Sequence, residues 1–346
     1  MAVTPGSVID ADGHVRELAE EVVDFCEGRY RHLKRFRTFA MYPTLDGWFR
    51  GAQSPDMEDF VTPARWLEFM DTAGIETAVL YPTAGLAAGL IQDRDWACAI
   101  TRAYNDWLHA RFLAESPRFR GVALLPVQDI AEAARELRRA TQDLGMVAGM
   151  LPAMTVLNKP YGHPDFYPLY DEAARLDVGL AFHGAPSKGL GFDYFDTFIK
   201  VHTLSHPVSQ FIQFTSLVLD GILELYPTVR FAFLESGAGW VPYFMDRMDT
   251  EYGIAWARAA KLLKKKPSEY IRQGNVYVTC ELEESTLPLV AERLGAGQIM
   301  YPSDFPHERA WAQFMHDLPE FREREDLSDA VKQQVLHENP RRFYRL

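Results

Sequence analysis

The stretch VIDADGHVRE, residues 8–17, places Asp10, Asp12 and His14 on alternate positions directly behind an apolar pair, Val8 and Ile9. Residues two apart in a strand share a face. Asp12 and His14 are therefore set to point together, with Asp10 one layer deeper. Three more apolar runs end on side chains able to do chemistry. His183 ends VGLAFH (178–183), Glu235 ends VRFAFLE (229–235), and Asp304 lies in YPSDFPH (301–307). Two imidazoles with one or two carboxylates make an open ligand set for zinc, manganese or iron. Such an ion polarises a substrate oxygen or lowers the pKa of a bound water. Each residue alone is ordinary, since an aspartate after a strand is often a helix cap. Their joint occurrence at strand ends is what points to a site.

Something must carry these strand ends to one place. Short, nearly continuous apolar runs recur at 7–10, 76–82, 121–126, 147–151, 178–183, 229–235, 276–280 and 298–301. That character suits strands buried on both faces of a parallel sheet. Helical patterns lie between them, including PARWLEFMDTAG (63–74) and AEAARELRRATQDLG (131–145), the latter with a glycine stop. Eight such alternations predict an α/β fold of the (β/α)₈ TIM-barrel type, read as a single domain over 1–346. Two connections are long: about 30–60 after the first strand and 184–226 after the fifth. Loops that follow strands build the active-site face of a barrel, so both are candidate lids or substrate walls.

Composition narrows the class of partner. The 346 residues are 47% hydrophobic and 24% charged, enough for a large core. A net charge of −12 argues against non-specific binding to nucleic acid or to an anionic membrane surface. The three cysteines, Cys26, Cys98 and Cys280, are far apart and fit neither a disulfide framework nor a zinc knot. No signal peptide and no membrane span is expected, and a reducing cytoplasm is the simplest compartment. No dinucleotide fingerprint, phosphate loop or nucleophile elbow is present; ESGAG (235–239) is not a GxSxG elbow.

The chain resembles the amidohydrolase-related proteins that include aminocarboxymuconate-semialdehyde decarboxylase and the aromatic-acid decarboxylases. The resemblance rests on IDADGHV (9–15), FMDTAGIETAVLYPT (69–83), AYNDWL (103–108), LAFHGAP (180–186), LVLDGILELYPTVRFAFLESGAGWVPYFMDRMD (217–249), IMYPSDFPH (299–307) and ENPRRFY (338–344). It implies one divalent ion, Zn²⁺ or Mn²⁺, held by Asp12, His14, His183 and Asp304. It also implies a small-molecule substrate and a homodimer. Related decarboxylases carry a histidine where this chain has Glu235. A carboxylate donates a proton only where its surroundings raise its pKa, so the change tilts the expectation toward hydrolysis. In that reading a metal-activated water, deprotonated toward Asp304 or Glu235, attacks an ester, thioester, amide or carbon–carbon bond beside a carbonyl. The alternative is nonoxidative decarboxylation of an aromatic or unsaturated carboxylic acid.

Other residues are placed around this centre. His202 and His206 in VHTLSHP are four apart and share a helix face. His202 is assigned to substrate contact, and His206 to supplying the imidazole that strand six lacks. Arg50 stands where the resemblance implies a guanidinium for a substrate carboxylate, which Arg holds bidentately. Trp48 and Trp240 are expected to wall the substrate, and His307 to support Asp304. The basic run KLLKKKP (261–267) is read as a solvated helix end.

Overall fold

The structure, a computed structural model, describes residues 7–35, 41–43, 61–184, 189–254, 260–307 and 309–346. Eight parallel strands form one sheet in sequential order. They are β1 (Ile9–Val15), β2 (Thr77–Pro82), β3 (Phe119–Leu124), β4 (Ala148–Pro152), β5 (Gly179–His183), β6 (Phe231–Leu234), β7 (Val276–Thr279) and β8 (Ile299–Met300). All eight coincide with apolar runs in the sequence. Their positions are buried throughout except Thr77 and Arg120, as a sheet covered on both faces requires. The seam between β8 and β1 is closed by the segment that follows β8. Ala11 N–H donates to Tyr301 O (2.9 Å), Asp304 N–H to Asp12 O (2.9 Å) and His14 N–H to Phe305 O (2.8 Å).

The first strand is longer than the sequence suggested. Asp12 and His14 lie inside β1, not beyond its end. Pairing with β2 slips by one residue between Asp10 and Gly13, which marks a bulge at the point where the strand turns functional. The bulge is pinned from outside by Tyr344, whose hydroxyl donates to Ala11 O (2.6 Å). Gly13 is needed here. A Cβ would lie 2.5 Å from the ring of Trp66, and Trp66 Nε1 donates to His14 O (3.0 Å).

Trp66 belongs to α1 (Pro63–Ala73), which starts as its sequence dictates. Pro63 takes the first helical position, and the Thr62 hydroxyl accepts from Arg65 N–H. The 131–145 pattern becomes α2 (Ile130–Asp143), capped by Asp129. The second long connection contains α3 (Phe198–Leu219), a 22-residue crossover helix. Its His202, Thr203, His206 and Pro207 form a wall of the barrel mouth. The KLLKKKP run leads into a short helix at the surface, with Lys264 exposed and paired to Glu224 and Lys265 over the Tyr270 ring. Among the described residues no helix is long and apolar enough to cross a membrane.

Candidate metal and catalytic site

Asp12, His14 and His183 meet at the C-terminal mouth of the barrel and are fully buried. Asp12 Oδ1 lies 3.5 Å from His14 Nε2 and 3.3 Å from His183 Nε2. Among the described residues neither oxygen of Asp12 and neither Nε2 has a hydrogen-bond partner. Buried polar atoms left in this state are costly and need a reason. The other face of each imidazole is tied down: His14 Nδ1 donates to Pro82 O (2.8 Å) and His183 Nδ1 to Gly184 O (2.8 Å). That tautomer leaves the lone pair on Nε2, the usual arrangement for a metal-ligating histidine. Ligands bound tetrahedrally at about 2.1 Å stand roughly 3.4 Å from one another. The observed separations bracket that length, so the residues fit a divalent ion.

Asp304 stands at the edge of this trio. Its Oδ1 is 3.6 Å from His14 Nε2 and 2.7 Å from His307 Nδ1, which donates to it. His307 Nε2 in turn accepts from the Thr83 hydroxyl at 2.8 Å. The supporting role read from the sequence for His307 is the observed geometry. Burial, reinforced by the charge of Glu235, pushes the Asp304 carboxyl up to about 8. Asp12 goes the other way: its burial is outweighed by the two neighbouring imidazoles, His183 and His14.

Glu235 and His206 form the opposite wall. Glu235 Oε2 is 3.4 Å from His183 Nε2, and Oε1 is 3.1 Å from His206 Nδ1 and 3.6 Å from His202 Nε2. Both histidines project from α3, one turn apart. Burial alone would raise Glu235, but His206, His202 and His183 hold its carboxyl well below the usual carboxylate range. Glu235 and Asp304 share a further feature. Both have backbone φ in the left-handed region, 53° and 54°, which costs a non-glycine residue energy and concentrates at functional positions.

These groups open on a cavity of about 450 Å³, within the usual range for small-molecule sites. Among the described residues seven carboxyl groups line it (Asp12, Glu235, Glu281, Glu283, Glu284, Asp304 and Asp317) against one guanidinium, that of Arg309, which is itself paired with Asp317 at 2.9 Å. The acidic group after β7 was missed in the sequence. Its signal was there: CELEES (280–285) follows a strand end, like the residues that were found. Glu284 also shapes the glycine-rich turn after β6, accepting from Ala238 N–H and Gly239 N–H at 3.0 and 2.9 Å.

The remaining expectations divide. Trp240 is not among the cavity-lining residues. It caps the helix after β6, and its ring packs against Phe211 and Phe214 at centroid distances of 5.1 and 4.9 Å. Among the described residues its contacts are packing behind the site. Arg50 and Trp48 lie outside the described residues.

With fold and site defined, comparison with known proteins is direct. The family described as amidohydrolase matches residues 9–346, and the chain belongs to it. A gamma-resorcylate decarboxylase from Polaromonas sp. is 26% identical over 294 residues, covering 82% of this chain and 87% of that protein. A 2-amino-3-carboxymuconate-6-semialdehyde decarboxylase from Dictyostelium discoideum is 24% identical, covering 71% and 67%. Among solved structures, a dihydroxybenzoic acid decarboxylase from Polaromonas sp. with bound manganese and 2-nitroresorcinol superposes with a TM-score of 0.71 at 23% identity, over 98% of this chain and 97% of that one. These relatives are carboxy-lyases by name. They favour the alternative set out from the sequence and leave the hydrolytic reading without support.

Proposed function

We propose that the protein is a divalent-metal-dependent, nonoxidative decarboxylase of an aromatic or unsaturated carboxylic acid. The reaction class is supported by the names of its relatives. The structural observation that carries it is Asp304, a carboxyl that touches the ligand set through His14 and also opens on the cavity, with 24% of its side chain exposed.

Asp12, His14 and His183 would hold manganese or zinc, with Asp304 beside them. When bound, such an ion supplies a Lewis acid that neutralises an anionic substrate. The remaining chemistry belongs to the chain. The bond between the ring carbon and the carboxyl carbon breaks, carbon dioxide leaves, and the electron pair stays on the ring carbon. A proton must reach that carbon, and Asp304 supplies it. His307 occupies one of its oxygens, which leaves the other to carry the proton. Glu235 and His206 act on the oxygen side of the substrate. Arg50, outside the described residues, is assigned to a substrate carboxylate.

The test is isotopic. Manganese-loaded protein is incubated with 2,6-dihydroxybenzoate and related ortho-hydroxy aromatic acids in deuterated, ¹⁸O-labelled water. Carbon dioxide release with one deuterium on the vacated ring carbon is expected. No carbon dioxide release from these acids, with ¹⁸O instead entering the carboxyl product of an ester, thioester or amide probe, would mean hydrolysis and overturn the reading.

A further inference from the structure

A second constellation lies beside the ligand trio in the same mouth. His202, His206 and Glu235 each offer a ligand atom, and the three atoms lie within 4.8 Å of one another. We propose that these residues hold a second divalent cation, with Glu235 shared between the two sites.

Three observations carry this. The first is spacing. Histidines at i and i+4 of a helix present both rings to one point, as in helical zinc sites, and here that point is Glu235 Oε1, at 3.1 Å from His206 and 3.6 Å from His202. Those separations bracket the tetrahedral edge of roughly 3.4 Å just as the first trio does. Glu235 Oε2 faces the other way, 3.4 Å from His183 Nε2, so one carboxylate addresses both sets.

The second is that the fold makes room for this arrangement. A Cβ at Gly184 would lie 2.5 Å from His206 Nδ1; only glycine at the end of β5 admits that ring. Phe198 stacks on His202 with centroids 4.7 Å apart and holds it over the mouth. The left-handed backbone at Glu235 turns its side chain into the same space. His202 is 34% exposed, which gives an ion a route in from solvent.

The third is charge. Among the described residues the cavity lining has seven carboxyl groups, of which Asp304 and Glu281 are pushed up to about 8, and one guanidinium, so the remainder leaves it acidic. An anionic substrate entering such a cavity is repelled. One divalent ion relieves part of that excess, and a second relieves more, on the wall that the first does not reach.

The inference does not depend on decarboxylation, and metal content tests it without an activity assay. The whole protein is stripped, then equilibrated with saturating Mn²⁺ or Zn²⁺ and freed of unbound ion, and metal per chain is measured. Two per chain is expected for the unmodified protein and one for His202→Ala and His206→Asn. His202→Ala changes a half-exposed side chain, so melting of the stripped variant checks that it is folded. Asp12→Asn separates the two sites, because it should lose the first ion. One ion per chain that disappears in Asp12→Asn and is untouched in His202→Ala would overturn the second site and leave the first standing. One ion that disappears in His202→Ala and survives in Asp12→Asn would support this site and remove the Asp12 site.

Discussion

Asp10 and Asp12 sit two residues apart on β1, and both are completely buried, yet they are treated in opposite ways. Asp10 is satisfied. It accepts from Ser303 N–H (2.8 Å), Ser303 Oγ–H (2.6 Å) and Asp12 N–H (3.1 Å). It thereby ties β1 to the segment after β8 and helps close the barrel. Among the described residues Asp12 accepts no hydrogen bond and faces two imidazoles whose Nε2 atoms are also unpartnered. Residue type and burial do not separate the two; hydrogen-bond satisfaction does. A buried carboxylate whose acceptor capacity is met by donors within the fold is architecture. One whose capacity is unmet is waiting for something the chain does not contain.

That contrast is open to experiment. The largest effect belongs to the functional layer. Asp304→Asn should lower kcat by about 10²–10⁴-fold, the usual contribution of a positioned proton donor, in steady-state assays of metal-loaded protein. Asp12→Asn should reduce activity by more than about 100-fold, since even partners of metal ligands cost that much. It should also remove bound metal while leaving the melting temperature of the stripped protein close to its original value. A stripped Asp12→Asn protein that melts as low as an Asp10 variant would erase the distinction between the layers.

The next effect belongs to the closing layer. Asp10→Ala leaves three donors without an acceptor and should destabilise the protein by about 3 kcal/mol whether or not metal is present, read from denaturant unfolding. A smaller, pH-dependent effect sharpens this. Burial, opposed by the Ser303 hydrogen bonds, pushes Asp10 up to about 7. A carboxyl raised in the folded state contributes stability that is fully present below its unfolded pKa near 3.8 and lost as pH rises through about 7. The stability gap between stripped wild type and Asp10→Asn should therefore narrow between pH 4 and pH 8. Glu172 supplies the opposite sign far from the site. Hydrogen bonds from Arg175 and Arg138 hold it down to about 2. Its contribution is present above pH 4.5 and lost as pH falls through about 2. Glu172→Gln should cost about 1 kcal/mol at pH 6 and almost nothing at the acid end.

Much of this architecture was legible in the residues. The eight strands announce themselves because parallel strands are apolar on both faces, and α1 and α2 because their caps are local. Asp12, His14, His183 and Asp304 were found because they end or interrupt such runs. What was not legible depends on non-local geometry. The bulge in β1 is a register slip against β2. Trp240 has the composition of a substrate wall, and only the packing of α3 shows that its ring faces Phe211 and Phe214. The low pKa of Glu235 owes much to two histidines about thirty residues upstream, which the sequence placed near the site without fixing their distance. The acidic cluster after β7 could have been read by the rule that found the rest.

The left-handed backbone shared by Glu235 and Asp304 has a practical consequence for engineering. Each residue holds a conformation that glycine or asparagine adopts more easily, at a cost of about 1 kcal/mol or more. A search for heat-resistant variants would therefore reward replacement at these two positions. Selection on robustness alone would discard both carboxylates, so any such campaign has to score turnover in the same round.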